Sequence, residues 1–375
     1  MPRLPIAAAA ATRVTMDGRD FLAFGGCNYL GLANHPDVLS AAFHGLQTFG
    51  LSTTASRETT GNTTSHELLE FELASYIAQE ACILTAEGYT ANFAACQGLA
   101  NCIGVALLDA HAHRSIRNAA VSAGMQVFEY EHLNPESAAW LIQQHHDAGV
   151  AIMTDSVFAA DGAIAPLPDL LRLLPKSRSA LLVDDCHGFC VLGEGGRGAI
   201  NHFALDDPRV LLTTTLAKGL GCYGGAVLGR RALISRVREV AAVYRSSTPI
   251  PPAIAESCRA ALAVIRRESS LVPTLRRNID LMRTELASLG IPLPPSGIPI
   301  FTFALSSESV MQRVHDHVHA QGILAPLISY PGGPAERYFR VVVNAAHTPE
   351  DIRRLSSALS EALAGTPRHA DLLPT

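Results

Sequence analysis

The chain has 375 residues, a formal net charge of -5 and no long basic block, and it is 48% hydrophobic with 17% charged residues. That balance excludes an intrinsically disordered chain, and the absence of a basic patch argues against a nucleic-acid partner. At about 100 to 200 residues per domain, two or three domains are expected. No run reaches the roughly 18 apolar residues a membrane span requires. The cysteines at 27, 82, 96, 102, 186, 190, 222 and 258 fall within apolar segments. This suits reduced, buried thiols and a cytoplasmic compartment better than a disulfide framework.

Met1 to Pro5 and the alanines after Ile6 read as a flexible or docked N-terminal arm, because prolines interrupt any signal-like run. Thr12 to Phe24 is a hairpin around Asp17-Gly18, a strong two-residue turn. Asn28-Tyr29-Leu30-Gly31-Leu32 is turn-rich, and Asn28 is either a turn former or a polar finger in a site. A helix is expected from Asp37 to Phe49, a loop from Gly50 to Gly61, and an amphipathic helix capped by Ser65.

From there short apolar runs alternate with helical stretches. The expected strands are Ala81–Leu84, Val105–Leu108, Gln126–Glu129, Val150–Thr154, Ala180–Val183, Val210–Thr214 and Gly225–Leu228. That rhythm predicts an α/β fold with a largely parallel sheet covered on both faces. After Arg230 the pattern changes to helices at 231–243 and 252–288, strands at 300–304 and 338–343, and helices at 308–321 and 349–364. The reading is therefore three parts: an N-terminal arm and hairpin (1–45), a large α/β domain (46–245) and a C-terminal α+β domain (246–375). Ile291-Pro292-Leu293-Pro294-Pro295 reads as a rigid connector.

The chemistry concentrates where apolar runs end in polar groups. Val183-Asp184-Asp185-Cys186-His187-Gly188 and Thr213-Thr214-Thr215-Leu216-Ala217-Lys218-Gly219 are two such ends, and in an open α/β sheet the carboxyl ends of strands share one crevice. A lysine there needs a partner, either an ion pair with Asp184 or Asp185, or Schiff-base chemistry. An acid beside such a lysine is the pairing that pyridoxal phosphate enzymes use. Gly88-Tyr89-Thr90 lies at a strand-to-helix junction, with the helix beginning near Ala91, and Thr215 can add a hydroxyl to an anion held there. His113 and His111 compete to contact a flat ring. Cys186, His187 and Cys190 lack the second ligand pair of a structural zinc site, and no Gly-x-Gly-x-x-Gly fingerprint follows the first strand.

The phrases Asn28-Tyr29-Leu30-Gly31-Leu32, Ser56-Arg57 with Gly61 and His66, Gly88 with Asn92, Asp109 with His113, Asp161-Gly162 with Ala165-Pro166-Leu167, Asp184-Asp185-Cys186-His187-Gly188, Thr215-Leu216-Ala217-Lys218, Ser247-Thr248 with Pro251-Pro252, and Arg340 with Ala345-Ala346-His347 occur in this order. Together they resemble the α-oxoamine synthases, the family of 8-amino-7-oxononanoate synthase, 2-amino-3-ketobutyrate CoA ligase, 5-aminolevulinate synthase and serine palmitoyltransferase. The resemblance implies a fold-type I pyridoxal phosphate transferase, active as a homodimer with shared sites. Lys218 would carry the internal aldimine and act as acid and base, Asp184 would pair with the pyridinium nitrogen, His187 would bond the phenolic oxygen and His113 would stack on the ring. Gly88, Tyr89 and Thr215 would hold the phosphate with Thr248 of a second copy, and Asn28 and Arg340 would orient the substrate carboxylate. The implied reaction is a decarboxylative Claisen condensation of alanine, glycine or serine with an acyl thioester on CoA or a carrier protein, most like that of 8-amino-7-oxononanoate synthase.

The chain departs from the family pattern at Ala159, where a serine is usual, at Asp155 for a glutamate, at Glu87 for a small hydroxyl residue, and in a shorter N-terminal region. An aminotransferase or aldolase-type lyase on the same cofactor, or a non-catalytic pyridoxal phosphate-binding domain, are the other readings these residues allow.

Overall fold

A computed structural model describes residues 5–293 and 297–364, the side chain of His146 excepted. The first four residues of the expected arm, Pro294-Pro295 of the expected connector and the last residues of the expected C-terminal domain lie outside these. The chain divides into two compact units, one of Met1–Asn34, Ala159–Ala163 and Ser269–Thr375 and the other of His35–Phe158 and Ile164–Glu268.

The first unit opens with β1 (Ile6–Ala9), β2 (Arg13–Met16) and β3 (Arg19–Ala23). The described part of the arm is thus a strand, antiparallel to β2. Asp17 and Gly18 both take positive φ, 47° and 69°, the backbone hand that matches the twist of a two-residue hairpin.

The second unit begins with α1 (Pro36–Phe49) and α2 (Thr64–Ile77). Thr63, not Ser65, caps α2: its Oγ1 accepts the His66 N–H, and Ser65 is buried inside the first turn. Then come β4 (Ala81–Thr85), α3 (Gly88–Ala100), β5 (Val105–Asp109), α4 (Arg114–Ser122), β6 (Gln126–Tyr130) and α5 (Pro135–His145). After these follow β7 (Val150–Asp155), α6 (Leu167–Leu173), β8 (Ser179–Asp184), α7 (Ala199–His202), β9 (Val210–Thr215) and β10 (Gly225–Gly229). α8 (Arg231–Val240), α9 (Ala242–Arg245) and α10 (Pro252–Arg267) complete the unit.

Its seven strands lie in the order β4-β10-β9-β8-β7-β5-β6. β5 to β9 pair in parallel, whereas β10 is antiparallel to both its neighbours, a direction its composition does not reveal. Every residue of β5, β7 and β9 is buried, as expected of strands covered on both faces. α3 starts at Gly88, three residues before the expected position.

The expected long helix 252–288 is two helices, α10 and α11 (Leu271–Ser288). Pro273 forces the break, because inside a continuous helix its ring would strike the carbonyl of residue 269. The break is also where the chain passes from the second unit to the first. α10 packs on α1 and α2, which is why the second unit extends past the expected boundary at 245. The expected helix 231–243 is likewise broken, at Ala241, where ψ is 104°.

The first unit resumes with α11, β11 (Ile300–Phe303), α12 (Glu308–Ala320), β12 (Ile323–Leu324), β13 (Leu327–Ile328), β14 (Tyr338–Val342) and α13 (Pro349–Leu363). β12 joins β3 in parallel, and β11, β14 and β13 form an antiparallel sheet. α13 packs against α11 and α12. His347 stacks on Phe24 at 4.4 Å in the interior of this unit.

Candidate active site

The carboxyl ends of β5, β7, β8 and β9 carry Asp109, Asp155, Asp184 and Thr215, and each is an apolar strand ending in a polar group. At this edge lies a cavity of about 270 Å³, lined among others by Glu87, Gly88, Tyr89, His113, Asp155, Asp184, His187, Thr215 and Lys218. Of the ten residues expected in a site, the structure gathers seven here.

Lys218 follows β9 and is half-buried, with Nζ 2.7 Å from His187 Nε2. Among the described residues it forms no ion pair with Asp184 or Asp185, so the salt-bridge reading of this lysine does not hold. Asp184 turns into the cavity, while Asp185 turns away to clamp the loop after β8. Asp185 accepts from Ser156 Oγ at 2.5 Å and from the Ala199 N–H at 3.0 Å, and burial pushes its carboxyl up to about 7.

Asp184 is buried and receives two donors, Asn92 Nδ2 on Oδ2 at 2.8 Å and the Cys186 N–H on Oδ1 at 3.0 Å. Asn92 is itself fixed, since its Oδ1 accepts from Thr213 Oγ1 at 2.6 Å and its Nδ2 also donates to Ser115 Oγ at 2.8 Å. Ser115 Oγ then lies 2.7 Å from His113 Nδ1, which also accepts the Ser115 N–H. With its hydrogen committed to Nδ1, Ser115 holds His113 as the neutral Nε2–H tautomer. Burial lowers the His113 value from its ordinary range in the same sense, with Lys218 and Arg114 adding to it against Asp184. His111 takes no part in the cavity and stacks on His132 at 4.0 Å instead.

Asn92 and Ser115 were not singled out as site residues. For Asn92 the sequence carries only a weak mark, a lone amide in the middle of the apolar helix α3, and its burial and partners come from the structure.

The phosphate end is built from α3. Gly88 is required there, because a Cβ on it would lie 2.7 Å from Thr215 Cβ. The N–H groups of Gly88 and Tyr89 have no acceptor among the described residues and stand at the positive end of a 13-residue helix. Tyr89 Oη accepts from Asn118 Nδ2 at 2.7 Å, and its ring meets His113 edge-on. Glu87 adds a carboxylate to this rim, where a phosphate cradle would ordinarily place a neutral donor.

Three expected residues are not in the cavity. Thr248 is exposed in the turn after α9. Asn28 and Arg340 belong to the first unit, where Asn28 Oδ1 accepts the Ala33 N–H at 3.3 Å in a local turn. Arg340 Nε donates to the Ala159 carbonyl at 3.0 Å, so the position that lacks the family's serine touches this guanidinium through its backbone.

A lysine and a buried carboxylate on the carboxyl edge of a mostly parallel sheet, facing a helix N-terminus across one cavity, are the arrangement of a fold-type I pyridoxal phosphate-dependent transferase. The profile of the aminotransferase class I and II family matches residues 19–359. The chain is 34% identical over 354 residues to an 8-amino-7-oxononanoate synthase of Thioalkalivibrio sulfidiphilus, covering 94% of this chain and 90% of that one. A second such enzyme, from Hahella chejuensis, is 33% identical over 97% of this chain and 92% of its own. Among solved structures, a serine palmitoyltransferase from S. paucimobilis superposes with a TM-score of 0.90 at 22% identity, covering 97% and 92% of the two chains. The 8-amino-7-oxononanoate synthase of Francisella tularensis superposes at 0.78 and 22%, covering 92% and 98%. The chain belongs to the aminotransferase class I and II family and, within it, to the α-oxoamine synthase group.

Pyridoxal phosphate is the cofactor of this group, and the residues present fit it. The unpaired N–H groups of α3 suit a phosphate, the doubly bonded Asp184 a ring nitrogen, and the Lys218 amine an aldehyde.

Proposed function

We propose that the protein is a pyridoxal phosphate-dependent acyltransferase that condenses a small amino acid (alanine, glycine or serine) with an acyl thioester, releasing carbon dioxide and giving an α-amino ketone. This is the reaction type of the 8-amino-7-oxononanoate synthases it resembles. The observation that carries the reading is Lys218 Nζ held 2.7 Å from His187 Nε2 in the cavity that Asp184 and His113 also line.

The cofactor, when bound, supplies an aldehyde to engage the amino group and a ring able to accept an electron pair. Asp184 would hold its ring nitrogen, Gly88, Tyr89 and Thr215 its phosphate, His187 its phenolic oxygen and His113 its face. Lys218 Nζ is the base that takes the α-proton of the amino acid and the acid that returns one to the product, with His187 orienting the amine. Such placed proton transfer is worth about 10² to 10⁴ in rate. Asn28 and Arg340 are assigned the substrate carboxylate, for which the guanidinium fork is suited.

A homodimer with shared sites belongs to this reading. α1 exposes Leu39, Phe43 and Leu46 along one stripe, and Leu51, Leu68 and Phe71 are exposed as well. Apolar patches of this kind mark a protein interface, and Thr248 would then reach the phosphate bound by a second copy. Free thiols at all eight cysteines, and no described helix long and apolar enough to cross a membrane, accord with a cytoplasmic location.

Carboxyl-labelled alanine, glycine and serine, each incubated with and without acyl-CoA or acyl carrier protein, test the reaction. Labelled carbon dioxide released only with the thioester is expected. Keto acid formed from the amino acid without thioester would replace condensation by transamination.

A further inference from the structure

We propose that Asp155 is a neutral carboxylic acid that positions His113, so that the floor of the cavity carries one negative charge, on Asp184, and not two. The inference rests on the functional reading only in naming the cofactor, since the state of Asp155 belongs to the chain alone.

Asp155 ends β7 and Asp184 ends β8, and the two are register partners on adjacent parallel strands. Side chains at one register of neighbouring strands leave the sheet on the same face, and here both carboxyl groups line the same cavity. Both residues are buried, 4% and 3% exposed. Two carboxylates held side by side out of water do not both ionise, because each raises the cost of charging the other.

Hydrogen bonds decide which of them keeps the proton. Asp184 receives donors on both oxygens, from Asn92 and from the Cys186 backbone. Asp155 receives the His113 N–H on Oδ2, at 2.8 Å. The groups around it are Asp184 on β8, Asp109 on β5, the Tyr130 hydroxyl on β6 and Lys218 after β9. Burial and Asp184 push the Asp155 carboxyl well above the usual range, and the His113 N–H and Lys218 oppose them.

The neutral acid has two uses. One oxygen fixes the backbone of His113, whose ring is fixed separately by Ser115, so the imidazole is held from both ends. The absent second charge leaves Asp184 as the single anion toward the ring nitrogen of the cofactor. Asp155 is thus a positioning residue and not a catalytic one.

Infrared spectroscopy of the cofactor-free Asp185→Asn protein at about pH 7, in which the Asp185 carboxyl with its value of about 7 no longer contributes, reads the protonation directly. The carbonyl band of an un-ionised buried carboxyl is expected in Asp185→Asn and is expected to vanish when Asp155→Asn is added to it. Absence of the band from Asp185→Asn overturns the proposal, as does its survival in a folded protein carrying both substitutions. Equilibrium dialysis with pyridoxal phosphate gives a second reading. Asp155→Asn, which keeps both the neutrality and the acceptor for His113, should weaken binding by no more than about threefold, Asp155→Ala by about tenfold, and Asp184→Asn by about a hundredfold or more. An Asp155→Asn protein that binds as poorly as Asp184→Asn overturns it. Failure of the wild type to bind pyridoxal phosphate would sink the functional reading and leave the infrared result standing.

Discussion

Two polar clusters of the second unit, each centred on buried carboxyl groups with cations beside them, serve opposite ends. At Glu70, every charged group has a partner: Oε1 accepts from Arg57 and from the Leu84 N–H, and Oε2 from Arg238 at 3.0 Å. Arg57 is further bound by Asn62 Oδ1, and both guanidinium groups lie over the Tyr244 ring at 5.7 and 5.8 Å. At the cavity, two carboxyl groups stand together, the lysine bonds a histidine in place of an acid, and two helix N–H groups have no acceptor among the described residues. The first cluster is closed and holds the loop 52–63 against α2. The second leaves its donors and acceptors for a ligand, and in that the difference between a structural and a chemical charge network is visible.

The contrast is broken most directly by removing the centre of each. Lys218→Ala should lower condensation by at least about 10⁴-fold, the upper end of what a placed proton-transfer group contributes, with little change in the urea midpoint. A Lys218→Ala protein that keeps its activity would remove the chemical assignment, and one that unfolds early would make this cluster structural too. Glu70→Ala leaves Arg57 buried without its anion and should destabilise the fold by about 3–5 kcal/mol in urea titrations. Replacing all three charges, as Arg57→Met, Glu70→Leu and Arg238→Met together, should recover much of that loss, because a closed ion cluster is exchangeable for apolar packing. No such exchange is expected to work at the cavity.

The apolar stripe of α1 gives a smaller effect. Phe43→Asp places a charge in the middle of the row Leu39, Phe43 and Leu46, and sedimentation should show the proposed dimer weakened by about 2–3 kcal/mol. An unchanged dimer would move the interface elsewhere.

The smallest effect concerns two histidines that divide in the same way. His347 uses both ring nitrogens structurally, Nε2 toward the Ala23 carbonyl at 3.1 Å and Nδ1 accepting the Asn344 N–H at 3.0 Å, whereas His113 faces the cavity. Burial lowers His347 from 6.5 to about 4. Its folded value lies below its unfolded one, so its contribution is complete above about pH 6.5 and is lost as the pH falls toward 4, by up to about 1.4 kcal/mol per pH unit. Subtracting the acid-stability curve of His347→Gln from that of the wild type isolates this slope. A flat difference would mean that His347 is already charged in the folded chain.

The seven strands of the large sheet were legible because a strand buried on both faces is an apolar run, and the polar residue that stops it marks the end. Lys218, Asp184 and His187 were legible for the same reason. The cap at Thr63 was hidden by a second hydroxyl two residues on. The break after α10 was hidden by the strong apolar period on both sides, although Pro273 was its signal. Asn92 was missed because a buried amide in an apolar helix shows its partners only when the helix is docked.

The sequence by itself determined the class of fold, the cofactor and the residues at the strand ends, since local apolar patterning and the chemistry of single side chains need no partner to be read. Only the tertiary structure decided that Asp184 faces the cavity and Asp185 the loop, that β10 runs against its neighbours, and that Asp155 stands beside Asp184. Those facts depend on strand order and register, which are set by packing between segments far apart in the chain, and hydrophobic periodicity reports that a face is buried without reporting what lies against it.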